Sequence, residues 1–309
     1  MNSTVPSAEP TPPLQPPQLL NLQGFARNLL QKRVWFLLFI LLDILVLNAI
    51  ATQPEVTKVW DYVVPGLAAT IRITVFSFVV AVVIGLIVAF GRISKNIIIY
   101  NLSTLYVEIF RGLPLLVIIL IFNFVLTPAI IDVVVGSNPD QANMPFVDDL
   151  IQRLIGVPGD QVSTTVLRTR DIDAEVRIVL AFAVTYGAFM SEVFRAGIES
   201  IGRGQVEAGR SLGMTYVQVM YYIILPQAIR NVLPALANNF VFLLKDTSLA
   251  SAVAVPEISY LTRQYSSNNF RYPEGLLVLS FLYANLTIVL SMASVYLENR
   301  LHKDRMGAR

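Results

Sequence analysis

Long uninterrupted runs of apolar residues are what most limits how this chain can fold. A bilayer core of about 30 Å is crossed by roughly 20 apolar residues in helical form. Backbone groups cannot stay unpaired in lipid, so such runs must be helices. The runs Val34–Ala51, Leu67–Phe90, Leu113–Val135, Arg177–Gly197, Val232–Val255 and Leu276–Leu297 meet that requirement. They predict an all-α, polytopic membrane protein of about six transmembrane helices. The segment Ile97–Phe110 is also apolar, which leaves the start of the third span open, and Glu108 and Arg111 give it a polar surface.

Composition narrows the function. Charged residues make up 14% of the chain, against about 25% in soluble domains. The net charge of +2 carries no basic stripe, which argues against a nucleic-acid partner. The chain has no Cys, and its one histidine, His302, lies in the charged C-terminal tail, so neither thiolate chemistry nor a His-based metal site is expected. Residues Met1–Gln18 are rich in Pro, Ser, Thr and Gln, the composition of an unpacked tail. The first apolar run begins after Arg33, exceeds a signal-peptide core and lacks a small-x-small cleavage site, so a retained helix is expected.

Lys and Arg in the loops set the orientation. With a cytoplasmic N-terminus, the inner loops hold Arg27, Lys32, Arg33, Arg92, Lys95, Arg195, Arg203, Arg210, Arg300, Lys303, Arg305 and Arg309. The outer set, with Lys58, Arg153, Arg168, Arg170, Arg177, Arg263 and Arg271, is smaller. Both termini are therefore expected inside. The longest connection, from about Gly136 to Asp173, falls outside and reads as a solvated cap.

The stretch after the fourth run is the most informative. Gly202 and Gly204 punctuate a turn, and a helix is predicted from near Gln205, with Glu207 in its first turn, where the dipole favours a negative charge. Leu212, Tyr216, Val219, Met220 and Ile223 recur at helical spacing. Gly209 and Gly213 are four apart, which predicts a flat face open to another backbone. Pro226 is expected to interrupt the helix before the next span. The same residues also fit an amphipathic helix lying on the membrane surface.

Glu207-Ala208-Gly209, a three-residue gap to Gly213, and a nine-residue gap to Ile223-x-Leu225-Pro226 resemble the cytoplasmic signature loop of bacterial ABC importer permeases, with Gly209 in place of the family's second Ala. Gly66 to Thr70, Glu108 to Leu115, Ser191 to Gly197 and Leu244 to Leu249 look like the polar amino acid branch of that family. The resemblance covers roughly Tyr62 to Leu301. It implies a permease domain over 62–301 and leaves outside it the tail over 1–33, an extra transmembrane helix over 34–52, most of the outer loop 136–173 and a cytoplasmic tail over 302–309. It also implies that Glu207, Ala208, Gly209, Gly213, Ile223, Leu225 and Pro226 dock into a dimer of ATP-binding subunits. An extracytoplasmic amino acid-binding protein would supply substrate, and a second permease, identical or related, would complete the pore. No Gly-x4-Gly-Lys-Ser/Thr loop is present, so ATP and Mg are expected on the partner subunit and no cofactor in this chain.

Polar residues in lipid are costly unless they face a cavity or a partner. Asn238 and Asn239 interrupt the fifth run, and Lys245, Asp246, Thr247 and Ser248 follow. Asp246 on an ammonium and Lys245 on a carboxylate would complement a free amino acid; a helix-end ion pair is the plainer reading. Arg72 is expected to snorkel toward the interface. Ala183, Gly187 and Ser191 are four apart and predict a helix contact face, while Glu192 would pair with Arg195 across one turn. A secondary transporter or channel driven by an ion gradient is the other functional class. It predicts ionisable residues in several spans, whereas here they gather around one segment.

Overall fold

The computed structural model describes residues 22–130 and 173–306, with side chains over 36–130 and 173–296, Arg203 apart. The expected outer loop at 136–173 falls outside the described residues except for Asp173, as do the start of the Pro-rich tail and the last three residues. The chain divides into two units, residues 1–52 and 53–309. The first contributes α1, Leu22–Thr52. Its Leu37, Leu38, Leu41, Leu42, Ile44 and Leu45 are all exposed, as suits a helix solvated by lipid.

The second unit begins with α2, Pro54–Val63, and α3, Gly66–Ile93. Pro54 disfavours a helical conformation at the residue before it, and Gln53 is extended. Helices α4, Ile97–Gly112, and α5, Leu115–Ile130, meet at a bend of 107°. The bend has a covalent cause: Leu113 is held extended before Pro114. Asn96 Oδ1 caps α4 by accepting from the backbone N–H groups of Ile98 and Ile99. Next comes α6, Ala174–Glu199, which Asp173 caps at the Glu175 N–H.

Helices α3 and α6 form the core. Arg72 pairs with Glu175 at a sequence separation of 103, and Arg92 with Glu192 at 100. So nearly constant an offset means that the two helices run parallel in register. Along α3, Ala69, Ile73, Ser77, Ala81, Gly85 and Ala89 recur every fourth residue and are all buried. The expected α6 face of Ala183, Gly187 and Ser191 is buried too, and a Cβ on Gly187 would lie 2.7 Å from Ile84 Cγ2. Without a hydrophobic drive in lipid, helices associate through close van der Waals contact, which small side chains permit. The hydroxyls of Thr70, Thr74 and Thr185 return to carbonyls one turn back on their own helix, which satisfies those donors within the seam, whereas the buried Ser77 hydroxyl has no partner. Arg72 is bidentate to Glu175, with Nε at 2.8 Å from Oε2, a partner that the sequence did not indicate.

Chain direction reverses through α7, Arg203–Ser211, and α8, Tyr216–Val219, into α9, Leu225–Asp246. A 3₁₀ turn over Thr247–Val253 ends at Ala254 in the left-handed region. Helices α10, Ile258–Asn269, and α11, Tyr272–Met306, complete the unit. Among the described residues, three helices are long and apolar enough to cross a membrane, or four if the α4–α5 pair is one span. The remaining two expected runs are helical in α1 and α9. Helix α9 starts earlier than Val232 and stops before Val255, and its first turns carry Gln227, Arg230 and Asn231, which dilute its apolar character.

Glu257 ties α10 to α11 beside the start of α3. Fully buried, it caps α10 by accepting from the Ser259 and Tyr260 N–H groups at 2.9 and 2.7 Å, and from the Tyr283 hydroxyl at 3.2 Å. Burial pushes its carboxyl up from an ordinary 4.5 to about 7. The folded chain thus keeps a proton that the unfolded chain releases near 4.5, so this site contributes stability below that value and loses it as pH rises through about 7. Glu257→Gln should flatten the fall in melting temperature between about pH 5 and pH 8. Thermal denaturation of the detergent-solubilised protein measures this, and an unchanged slope in the variant would refute it.

Candidate functional site

The loop between α6 and α9 is built around one helix terminus. Helix α7 starts at Arg203, two residues before the expected Gln205, and stops at Ser211. Gly213 then adopts φ +80°. The Met214 N–H bonds to the Gly209 carbonyl at 3.1 Å, and the Gly213 N–H to the Arg210 carbonyl at 2.9 Å. This is the Schellman arrangement, in which a left-handed residue just past the helix satisfies its last carbonyls. The expectation that Gly209 and Gly213 stack on one helical face is therefore corrected. Gly213 lies beyond the helix because a residue with its positive φ cannot continue one.

Gly209 does the close packing alone. A Cβ there would lie 2.9 Å from both Ile223 Cδ1 and Val219 Cγ2, so the next helix seats directly on the α7 backbone. Thr215 opens α8 with a capping box: its side chain accepts from the Gln218 N–H, and Gln218 Oε1 accepts from the Thr215 N–H at 2.8 Å. Val219, Ile224, Ala228 and Ile198 form a small buried cluster against which Val206, Met214 and Ile223 pack. The expected single stripe from Leu212 to Ile223 is thus split by the turn: Val219 is buried, while Leu212 is 81% exposed.

Pro226 does not interrupt the helix, contrary to expectation. A π turn over Met220–Ile224 precedes it, with the Leu225 N–H reaching back to the Met220 carbonyl. Pro226 then falls in the first turn of α9, where its missing N–H matters least. The Gln227 side chain donates to the Ile223 carbonyl at 2.7 Å, replacing a backbone donor. Glu207, Ala208 and Pro226 are exposed, and Leu225 is half-buried. Beside them, a cavity of about 620 Å³ is lined by Ser200, Gly202, Gln205, Gln227, Arg230 and Asn231, among others. The loop therefore presents a fixed helix, an exposed carboxylate and a row of exposed apolar side chains (Leu212, Tyr216, Val217, Tyr221 and Tyr222) with no role in the cluster beneath.

The second group of expected residues is more dispersed. Asp246 Oδ2 accepts from the Tyr186 hydroxyl of α6 at 2.7 Å. Lys245 is exposed, with Nζ 5.7 Å from the centre of the Phe242 ring. Adjacent residues on a helix point about 100° apart, and the two side chains find different partners. Asn238 is exposed, and Asn239 and Ser248 are half-buried. Tyr186 was missed from the sequence because 60 residues separate it from Asp246.

Glu192 pairs with Arg195 as expected, Nη2 to Oε2 at 2.8 Å. It also takes Arg92 of α3 and Arg111 of α4, neither of which the sequence connects to it.

Residues 81–303 match the family described as binding-protein-dependent transport system inner membrane component. A probable amino-acid ABC transporter permease protein of Vibrio harveyi is 31% identical over 237 residues, 77% of this chain and 90% of that one. The probable glutamine ABC transporter permease protein GlnM of Bacillus subtilis is 34% identical, covering 77% of this chain and 93% of its own. The L-cystine transport system permease protein TcyB of the same organism is 32% identical, covering 81% and 90%. A crystal structure of an amino acid ABC transporter superposes with a TM-score of 0.61 at 28% identity, covering 80% of this chain and 97% of that one. The MetNI methionine ABC transporter shares the fold alone, with a TM-score of 0.53 at 17% identity over 81% and 99%. This chain belongs to the binding-protein-dependent transport system inner membrane components: it is a transport permease of the ABC importer class, and its relatives are amino-acid permeases.

Proposed function

We propose that this chain forms the translocation path of an ATP-driven importer of polar amino acids and takes its energy from a separate ATP-binding subunit dimer. Contact is made through Glu207, Ala208, Gly209, Gly213, Ile223, Leu225 and Pro226. An extracytoplasmic amino acid-binding protein delivers substrate, and a second permease, a copy or a related chain, completes the pore. ATP and Mg stay on the partner subunit, and both termini of this chain face the cytoplasm. The observation that carries the reading is the loop at residues 202–226: a short helix locked by its own terminal turn, with exposed apolar side chains around an exposed Glu207. A surface amphipathic helix needs no such rigid turn, whereas a lever needs rigidity to pass on a displacement.

Within the path, Asp246 with the Tyr186 hydroxyl, together with Asn238, Asn239, Lys245 and Ser248, supplies polar contacts to the substrate. Asp246 supplies charge for an ammonium group. Lys245 faces elsewhere in one protomer, so a shared Asp–Lys clamp on one amino acid needs both permeases of the pair.

Co-expression with the proposed ATP-binding and binding-protein partners, reconstitution into liposomes, and uptake of a panel of labelled amino acids test the assignment. ATP-dependent uptake of one or a few polar amino acids is expected. Uptake by this chain alone, driven by an ion gradient without ATP, would overturn it in favour of secondary transport.

A further inference from the structure

Glu192 lies in α6 about two helical turns before the loop and gathers arginines from three helices. Arg92, in the last turn of α3, pairs with its Oε1. Arg111, in the last turn of α4, donates to the same oxygen at 3.1 Å. Arg195 places Nε and Nη2 on Oε2 at 3.1 and 2.8 Å, and its Nη1 on Glu199 at 2.7 Å. Glu199 is the last residue of α6, where the chain enters the loop. At the other end, Arg111 also stacks over the Phe189 ring at 5.7 Å and immediately precedes the Gly112-Leu113-Pro114 break that bends α4 from α5. A continuous series of charges therefore runs from the loop to the bend.

We propose that Glu192 is a positioning residue that passes movement of the α6–α9 loop to the α4–α5 bend, by clamping α3, α4 and α6 so that they follow the loop together. This rests on the proposed docking of the loop to an ATP-binding subunit. Fixing the end of α6 alone would need only the local Arg195. The arginines brought from 100 and 81 residues away tie in α3, whose Ile93 also packs against the loop's buried cluster, and α4, neither of which the Arg195–Glu192 pair holds. Arg92 and Glu192 are only 11% and 21% exposed, so their attraction is less screened than that of a surface pair. Loss of the carboxylate leaves three guanidinium groups facing one another, and they push the helices apart.

The test uses the reconstituted complex with its ATP-binding and binding-protein subunits, and reads substrate moved per ATP hydrolysed. Glu192→Gln is expected to retain the ATP-binding subunit and its hydrolysis, while substrate moved per ATP falls about fivefold or more, the scale of a coupling free energy between sites. Arg111→Gln, which leaves Arg92 and Arg195 on the carboxylate, carries the same expectation and serves where Glu192→Gln does not assemble. Because the chain has no native Cys, Arg111→Cys with Glu192→Cys can be bridged by a reducible bis-thiosulfonate. The bridged form is expected to regain coupling that reduction removes. An unchanged ratio in Glu192→Gln or Arg111→Gln, or no gain on bridging, overturns the proposal. Absence of ATP-driven uptake in the wild-type complex would instead overturn the function on which it rests.

Discussion

Gly213→Val is expected to reduce ATP-driven uptake about tenfold or more and to strip the ATP-binding subunit from the purified complex. The cause is backbone conformation and not crowding, since nothing lies within 4 Å of where a Cβ would be placed. At φ +80°, an L residue other than Gly costs roughly 1–2 kcal/mol, and a β-branched one more. That is enough to shift a loop equilibrium about 5- to 30-fold. The price falls on the turn that closes α7 and aims α8, so the exposed face from Leu212 to Tyr222 loses its fixed geometry while the buried helices are untouched. Gly213→Asn should be milder, because Asn tolerates the left-handed region. Co-elution with the ATP-binding subunit and uptake in liposomes measure both. If the Val variant bound and transported like the wild type, the turn would not be what presents the surface.

The same position shows how far the sequence was readable. Residue spacing marked the segment as a glycine-punctuated helix but left a contact surface and a membrane-surface helix both open; the motif residues came from the resemblance to the permease signature loop. It misassigned the role of Gly213, because a four-residue gap is compatible with a helical stack and with a helix followed by its terminating glycine. The deciding fact is a dihedral angle. Pro226 was misjudged for a related reason: proline breaks a helix interior, but a π turn just upstream moved it into a first turn, and no composition pattern announces that turn. The α3–α6 seam was half legible. Small residues every fourth position marked a contact face on α6, while the partner helix and the parallel sense came only from pairs such as Arg72 with Glu175. Contacts made across 60 to 103 residues, Tyr186 with Asp246 and Arg92 with Glu192, leave no local trace in the sequence. Charge in an apolar run advertises that a partner exists and says nothing of which one.

Gly85→Val should have the largest effect on folding itself. A Cβ at this position would lie 2.8 Å from Met190 Cβ, 3.0 Å from the Gly187 carbonyl oxygen and 3.1 Å from the Ser191 nitrogen. Two of these three atoms are backbone, which cannot rotate away, so even Gly85→Ala must part α3 from α6. Overpacking of this kind typically costs about 1–3 kcal/mol, and valine adds two methyl groups in the same gap. Separation of the pair would also stretch the Arg72–Glu175 and Arg92–Glu192 ties at the two ends, since the helices share one register along their length. Gly112→Ala is the matched control, with open space around its Cβ and a negative φ. The expected order of melting temperatures is wild type and Gly112→Ala together, then Gly85→Ala, then Gly85→Val, the last with little monodisperse protein after extraction. Equal melting of Gly85→Ala and wild type would mean that the seam has slack. The stripe of small residues would then be a property of α3 alone, and the close approach of the two backbones would not be what holds the bundle.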